Sequence, residues 1–191
     1  VGARLESREG VVANSTFRFP SAMGEFARAF GAGPLIRLWP TVDDPTDDRR
    51  PVDWVSGAAV LARWRALEAL GRFDEGYFLY YEEVDLMLAA RRAGWTVRHA
   101  PAARVVHLEG RSTGVIDGKV ESSRMPEYWF RAWRRYYRKN HGAPYAILAA
   151  IGHAAGTALG SAQRALRDRR AALPDRYLAD FLRIALLGRP R

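Results

Sequence analysis

Three carboxylates stand close together in the run Glu82-Glu83-Val84-Asp85, directly after the aromatic residues Tyr77, Phe78, Tyr80 and Tyr81. A carboxylate held rigidly beside aromatic surface can serve as a general base toward a hydroxyl-bearing substrate. The base must sit within hydrogen-bond reach of the proton it removes. The same residues also suit the acidic first turn of an ordinary amphipathic helix, where free N–H groups and the positive dipole end favour negative charge. Both readings put the carboxylates, ionised, at a helix N-terminus. That helix is expected to stop at Gly94, because Arg91 and Arg92 fill its last turn and glycine commonly follows a helix end.

A second group with chemical potential is His107, which follows the apolar pair Val105-Val106 at an expected strand end. An imidazole there is either a hydrogen-bonded structural residue or a metal ligand. Between these groups, Val52–Arg63 (VDWVSGAAVLAR) reads as a strand with small residues at its middle. Gly57 and Ala58 carry little side chain, so either a ligand or another part of the backbone can approach closely.

The elements that must position these residues follow from local pattern. Residues 1–20 read as short extended pieces around a turn at Glu9-Gly10. Ser21–Phe30 fits a short helix capped by Ser21 and ending near Gly31. Pro34–Pro40 is apolar and reads as a mobile stretch, with Trp39 expected to pack on the core. A short helix spans Arg65–Leu70, closed by Gly71, and Trp95–Ala100 and Ala103–Leu108 read as two short strands separated by Pro101. From Pro126 to Asn140, Trp129, Trp133 and Tyr136 fall at i, i+4, i+7 with arginines between them, a helical pattern ended by Gly142. Ala143–Ala162 is apolar and rich in Ala and Gly, and reads as a docked or amphipathic helix. Arg164–Arg170 breaks the pattern before a last helix at Tyr177–Leu187.

The chain has 191 residues, enough for one ordinary core or one core with a helical appendage. Its 48% hydrophobic content argues for a packed fold and against disorder. There are no cysteines, so neither a disulfide nor a thiolate metal site is available, and redox compartment is not legible. The formal net charge of +9 resides in the C-terminal third, where residues 164–191 hold eight arginines against three aspartates. Such a balance admits an anionic membrane surface, phosphorylated substrates or nucleic acid. Arginine interleaved with aromatics can grip single strands by stacking, but no nucleic-acid motif accompanies the charge here. Val1–Pro20 contains no apolar core of signal-peptide length.

The passage from Val52 to Thr113 closely resembles the acceptor half of family 2 glycosyltransferases, particularly the rhamnosyltransferase-like branch. The matching pieces are Ser56-Gly57-Ala58, Gly71-Arg72-Phe73-Asp74-Glu75, the EEVDL run, Ala93-Gly94-Trp95, Pro101, and His107 followed by Gly110-Arg111-Ser112. The resemblance implies an α/β fold: a partial GT-A unit with a mixed sheet over residues 1–118, then a basic, aromatic helical extension over 119–191. It implies an inverting transfer from a nucleotide-sugar such as dTDP-rhamnose to a cell-envelope or polyprenyl-linked glycan. Glu83 matches the second acidic position of the family's Glu-Asp pair and is the expected base, with Glu in place of the commoner Asp. Trp54, Ser56, Gly57, Ala58, Glu82 and Asp85 are expected along the acceptor cleft, and His107 at a divalent Mn or Mg ion.

The donor half, with its Asp-x-Asp metal motif, is expected upstream, so the chain reads as a fragment inactive by itself. Asp43-Asp44-Pro45-Thr46-Asp47-Asp48 contains no Asp-x-Asp, and Glu83-Val84-Asp85 opens a helix where that motif would close a strand. The Gln-x-x-Arg-Trp motif of processive synthases is absent, which favours single-sugar transfer. Ala89 also departs from the family, which often has Arg there. The expected location is cytoplasmic, peripheral to the inner face of a bacterial plasma membrane. The competing reading is a non-catalytic basic module for membrane surfaces or nucleic acid.

Overall fold

The computed structural model describes residues 1–31, 33–43, 51–108, 115–116, 119–120, 124–166 and 173–189. Gly110-Arg111-Ser112 and most of the Asp43–Asp48 run lie outside the described residues. In chain order the elements are β1 (Gly2–Glu6), β2 (Thr16–Phe17), α1 (Ala22–Phe30), α2 (Gly33–Leu38), β3 (Trp54–Val55), α3 (Trp64–Ala69), α4 (Glu82–Arg92), β4 (His99–Val106), β5 (Val115–Ile116), β6 (Lys119–Val120), α5 (Glu127–Leu166), α6 (Tyr177–Asp180) and a π-helical turn, Phe181–Leu186. The architecture is mixed α/β with a long C-terminal helix, consistent with a partial GT-A fold. Two compact units form, one of residues 1–19, 41–77 and 81–113, the other of 20–40, 78–80 and 114–191. The second unit therefore takes in α1 and α2 along with everything beyond residue 118.

In the first unit, β1 runs parallel to β4, and β2 pairs antiparallel with β3. The two strands expected around Pro101 are one strand, β4. Its register slips beside the proline: Ala3 faces Ala100, whereas Arg4 faces Arg104. Proline has no N–H to donate, so the ladder skips residues there and resumes. The strand expected over Val52–Arg63 shortens to β3, because the chain turns at Ser56–Ala58 after Ser56 N–H bonds the Ser15 carbonyl at 3.0 Å. The packed centre is Val52, Val55, Met87 and Val97, with Phe19 and Trp54 against it. Met87 brings α4 onto β3, and its sulfur accepts from Val55 N–H at 3.2 Å.

The second unit is helical apart from the two-residue strands β5 and β6, which pair antiparallel. Ser21 caps α1 by accepting from Gly24 N–H at 3.1 Å, and Gly31 closes it at φ +74°, as its sequence signals require. Within Pro34–Pro40 the chain is mostly helical: α2 forms there, with Pro34 in the first turn where its missing N–H costs nothing. Trp39 is 37% exposed and does not fill a core. The long helix α5 is broken at Gly142 (φ +82°, ψ +169°), and Pro144 opens its second part.

Gly152, Gly156 and Gly160 recur every fourth residue and so share one face of α5. A Cβ at these positions would stand 2.9, 2.5 and 2.6 Å from the carbonyl oxygens of Ala22, Phe26 and Phe30. The glycines therefore let α1 lie directly on the α5 backbone. Phe130, Trp133, Tyr136 and Tyr137 are fully buried, as are Phe181 and Ile184 to within 2%. Of the rings that a single-stranded nucleic acid would need for stacking, Trp133, Tyr136 and Tyr137 are interior and Trp129 is half-buried.

Candidate active site

The first unit brings the turn Ser56-Gly57-Ala58 to the N-terminal end of α4. Gly57 lies against the Glu83 side chain: a Cβ there would stand 3.5 Å from Glu83 Oε1 and 3.6 Å from its Cδ, ordinary contact distances. Two consecutive tyrosines, Tyr80 (φ +69°) and Tyr81 (φ +68°), lead into the helix in the left-handed region. That backbone is unfavourable for residues with a Cβ and clusters at functional sites. Tyr81 makes no side-chain cap, so α4 begins with its first-turn N–H groups facing its own carboxylates.

Glu83 is partly buried, and Glu82 stands next to it. Burial, followed by the charge of Glu82, pushes the Glu83 carboxyl up to about 7, although backbone N–H groups of Glu83, Gly57 and Val84 pull the other way. Burial also raises Glu82. The sequence reading expected ionised carboxylates at this helix end, but desolvation outweighs the dipole at Glu83. Glu82 Oε2 and Glu83 Oε2 are shielded from solvent and meet no hydrogen-bond partner among the described residues. An acceptor oxygen without a donor is costly inside a protein, and a substrate hydroxyl would supply one.

The remaining expected site residues divide. Asp85 is buried, and its Oδ1 accepts from Tyr77 OH at 3.2 Å, which makes it a brace between α4 and the loop before it. Trp54 donates its indole N–H to the Arg18 carbonyl at 2.9 Å and stacks on Phe17 with ring centroids 4.2 Å apart. Its polar handle and one face are thus occupied within the unit. Ser56 Oγ lies 3.4 Å from Ala58 N, and Gly57 and Ala58 are exposed.

His107 follows β4, with its backbone N–H on the Glu6 carbonyl at 2.9 Å. Among the described residues there is no group of three His, Asp or Glu side chains that could hold a metal. These residues do not make up a metal site by themselves.

One polar cluster lies outside the sequence reading, which gave His153 no role. In the second unit, Glu25 is buried on α1 and receives Arg28 Nη2 at 2.8 Å, Tyr137 OH at 3.0 Å and His153 Nδ1 at 2.8 Å. His153 Nε2 lies 2.9 Å from Tyr177 OH. Burial alone would raise the Glu25 carboxyl, but Arg28 and His153 hold it well below its ordinary range. No local pattern links residues 25 and 153; only the glycine face of α5 brings them together.

The geometry can be set beside known proteins. The family model described as glycosyl transferase family group 2 matches residues 46–177. An N-acetylglucosaminyl-diphospho-decaprenol L-rhamnosyltransferase of Mycobacterium tuberculosis is 46% identical over 65 residues, covering 34% of this chain and 21% of that protein. Rhamnosyltransferase WbbL of Escherichia coli is 38% identical over 56 residues, covering 29% of this chain and 21% of its own length. The low-salt glycan biosynthesis hexosyltransferase Agl10 of Haloferax volcanii is 25% identical over 107 residues, covering 56% of this chain and 32% of its own. The chain thus spans between about a fifth and a third of the length of these relatives. No solved structure matches significantly.

Proposed function

The chain belongs to glycosyl transferase family group 2, in its rhamnosyltransferase-like branch, and from that premise we propose that it supplies the acceptor side and the general base of an inverting sugar transfer. The donor is a nucleotide-sugar of the dTDP-rhamnose type. The acceptor is a hydroxyl of a cell-envelope or lipid-linked glycan; the name of the mycobacterial relative gives a decaprenol-linked N-acetylglucosamine for that protein.

The observation that carries the reading is Glu83, beside a glycine turn with one oxygen unpartnered and its carboxyl near neutrality. A base works best when its pKa lies near the operating pH. Glu83 Oε2 takes the acceptor's hydroxyl proton while the hydroxyl oxygen bonds to the anomeric carbon. The bond from that carbon to the diphosphate oxygen breaks, the leaving nucleoside diphosphate keeps its electron pair, and configuration inverts. Glu82 holds the acceptor and keeps the Glu83 proton affinity high.

A divalent Mn or Mg ion would stabilise charge on the departing diphosphate. Within this chain His107 is the candidate ligand, and the remaining ligands would come from outside the described residues. The location proposed is the cytoplasmic face of the plasma membrane, with α5 in contact. By length and composition α5 could cross a membrane. Its glycine face is packed on α1, however, and it is broken at Gly142. Ile147, Leu148, Ile151 and Leu159 are between 47% and 56% exposed and present a strip suited to the lipid boundary.

The deciding experiment incubates the full-length protein with dTDP-rhamnose and a polyprenyl-diphospho-sugar, and reads the product's anomeric configuration by NMR. An inverted rhamnoside supports the proposal. Full retention of configuration, or no transfer from any of a panel of nucleotide-sugars, sinks it in favour of a non-catalytic surface module.

A further inference from the structure

Arg131, Arg134, Arg135, Arg138 and Lys139 line one concavity along the first part of α5. Their spacing of i, i+3, i+4, i+7 and i+8 places them on one helical face. The aromatic residues between them, Trp133, Tyr136 and Tyr137, are fully buried, and that burial turns the cations outward together. The opposite wall comes from the C-terminal turn, through Ile184 and Gly188. No acidic side chain is among the described residues of the lining, although Arg131 is bonded to Glu127 from the same helix at 2.7 Å, and Arg135 and Lys139 also have interaction partners.

Arg134 is the centre of this groove. A Cβ at Gly188, where φ is +72°, would stand 2.7 Å from Arg134 Nη2, so the guanidinium lies directly against the turn and a side chain there would displace it. Its Nε is shielded from solvent and meets no acceptor among the described residues. Burial, with Arg138 beside it, lowers the proton affinity of Arg134. Like charges gathered in a partly desolvated concavity repel one another, and a bound oxyanion removes that cost.

We infer that this groove is a binding site for paired phosphates, such as a diphosphate group. Guanidinium forks match non-bridging phosphate oxygens in a bidentate manner, and Lys139 adds a point charge. Several cations on one face serve two adjoining phosphates better than one carboxylate. The chemistry is shared by two sources, the diphosphate of a small or lipid-linked molecule and neighbouring phosphodiester headgroups of a membrane. The assignment stands on the groove's own charges and not on the transfer reaction, so either can fail without the other.

Titration calorimetry of the full-length protein with inorganic pyrophosphate tests it. Saturable one-to-one binding is expected, weakened about tenfold or more in Arg138→Gln, since a charged hydrogen bond of this kind is worth roughly that factor. Arg138 is exposed, so its replacement leaves the core intact, and Arg134→Gln adds a second variant whose fold is checked by circular dichroism. Arg65→Gln on α3, exposed in the first unit, is the control and leaves affinity unchanged. Phosphatidylglycerol vesicles form the other arm. Pyrophosphate that displaces the protein from them assigns headgroup phosphates to the same groove. Sedimentation indifferent to saturating pyrophosphate assigns the groove to the soluble or lipid-linked diphosphate alone. Absence of saturable pyrophosphate binding at low salt, or equal affinity in Arg138→Gln and the unaltered protein, overturns the inference.

Discussion

Glu83 carries two pH-dependent consequences of opposite sense. As a base it must be deprotonated, so kcat/KM rises with pH through about 7 and then levels. Its folded carboxyl lies above its ordinary value near 4.5, so the folded protein keeps a proton that the unfolded chain releases. Stability therefore declines as pH climbs from about 4.5 to about 7, and is flat above that range. Glu83→Gln is expected to lower kcat by about 10²- to 10⁴-fold with donor affinity unchanged, and to flatten the pH–stability slope. Glu83→Asp, which restores the commoner family residue, should keep more activity than the amide. Asp85→Asn gives the contrast: it exchanges the charged acceptor for Tyr77 OH for a weaker neutral amide oxygen, so thermal stability falls and kcat suffers less. If Asp85→Asn abolished turnover while Glu83→Gln retained it, the base would be Asp85. For His107→Ala, Mn²⁺-dependent binding of nucleoside diphosphate is expected to weaken on the order of 10- to 100-fold with the fold intact; an unchanged titration returns His107 to a structural part.

At the scale of elements, the α1–α5 contact depends on absent side chains. Gly156→Ala would place its Cβ 2.5 Å from the Phe26 carbonyl oxygen, which belongs to backbone and cannot rotate away. The helices must separate, at a cost of about 1–3 kcal/mol, the usual penalty for overpacking. The same shift would pull Glu25 from His153. Direct removal of one partner, as in His153→Ala, leaves the buried Glu25 carboxylate with Arg28 and Tyr137 but one donor fewer, and is expected to cost about 1–3 kcal/mol. Chemical denaturation reads both. A Gly156→Ala protein as stable as the original would show that α1 and α5 do not meet as described.

For the whole molecule, the proposed location requires the apolar strip of α5 to meet lipid. Burying one isoleucine side chain is worth roughly 1.5–3 kcal/mol, so Ile151→Asp should reduce co-sedimentation with anionic vesicles by about tenfold or more. Basic residues near the surface add about 1 kcal/mol each, and that share fades as salt shortens the Debye length. Salt-dependent binding that Ile151→Asp leaves untouched would assign attachment to charge alone. No binding at low salt would remove the membrane from the proposal.

The amino-acid sequence by itself determined whatever depends on neighbours in the chain. Ser21 and Gly31 bound α1, Gly94 stops the region of α4, Gly142 breaks α5, and the EEVDL run with Ser56-Gly57-Ala58 announces the family. Caps, turns and periodicity act over a few residues, so the local pattern contains them. Strand extent was less legible: Val52–Arg63 shortened to two residues because its pairing partners, residues 15–17, are fixed by the fold. Only the tertiary structure decided which way the aromatic helix faces, since Trp133 and Tyr137 suit a core and a surface equally well until α1 and the C-terminal turn are in place. It alone joined Glu25 to His153 across 128 residues. It also raised the Glu83 carboxyl, because desolvation depends on what surrounds a group and not on its place in the chain.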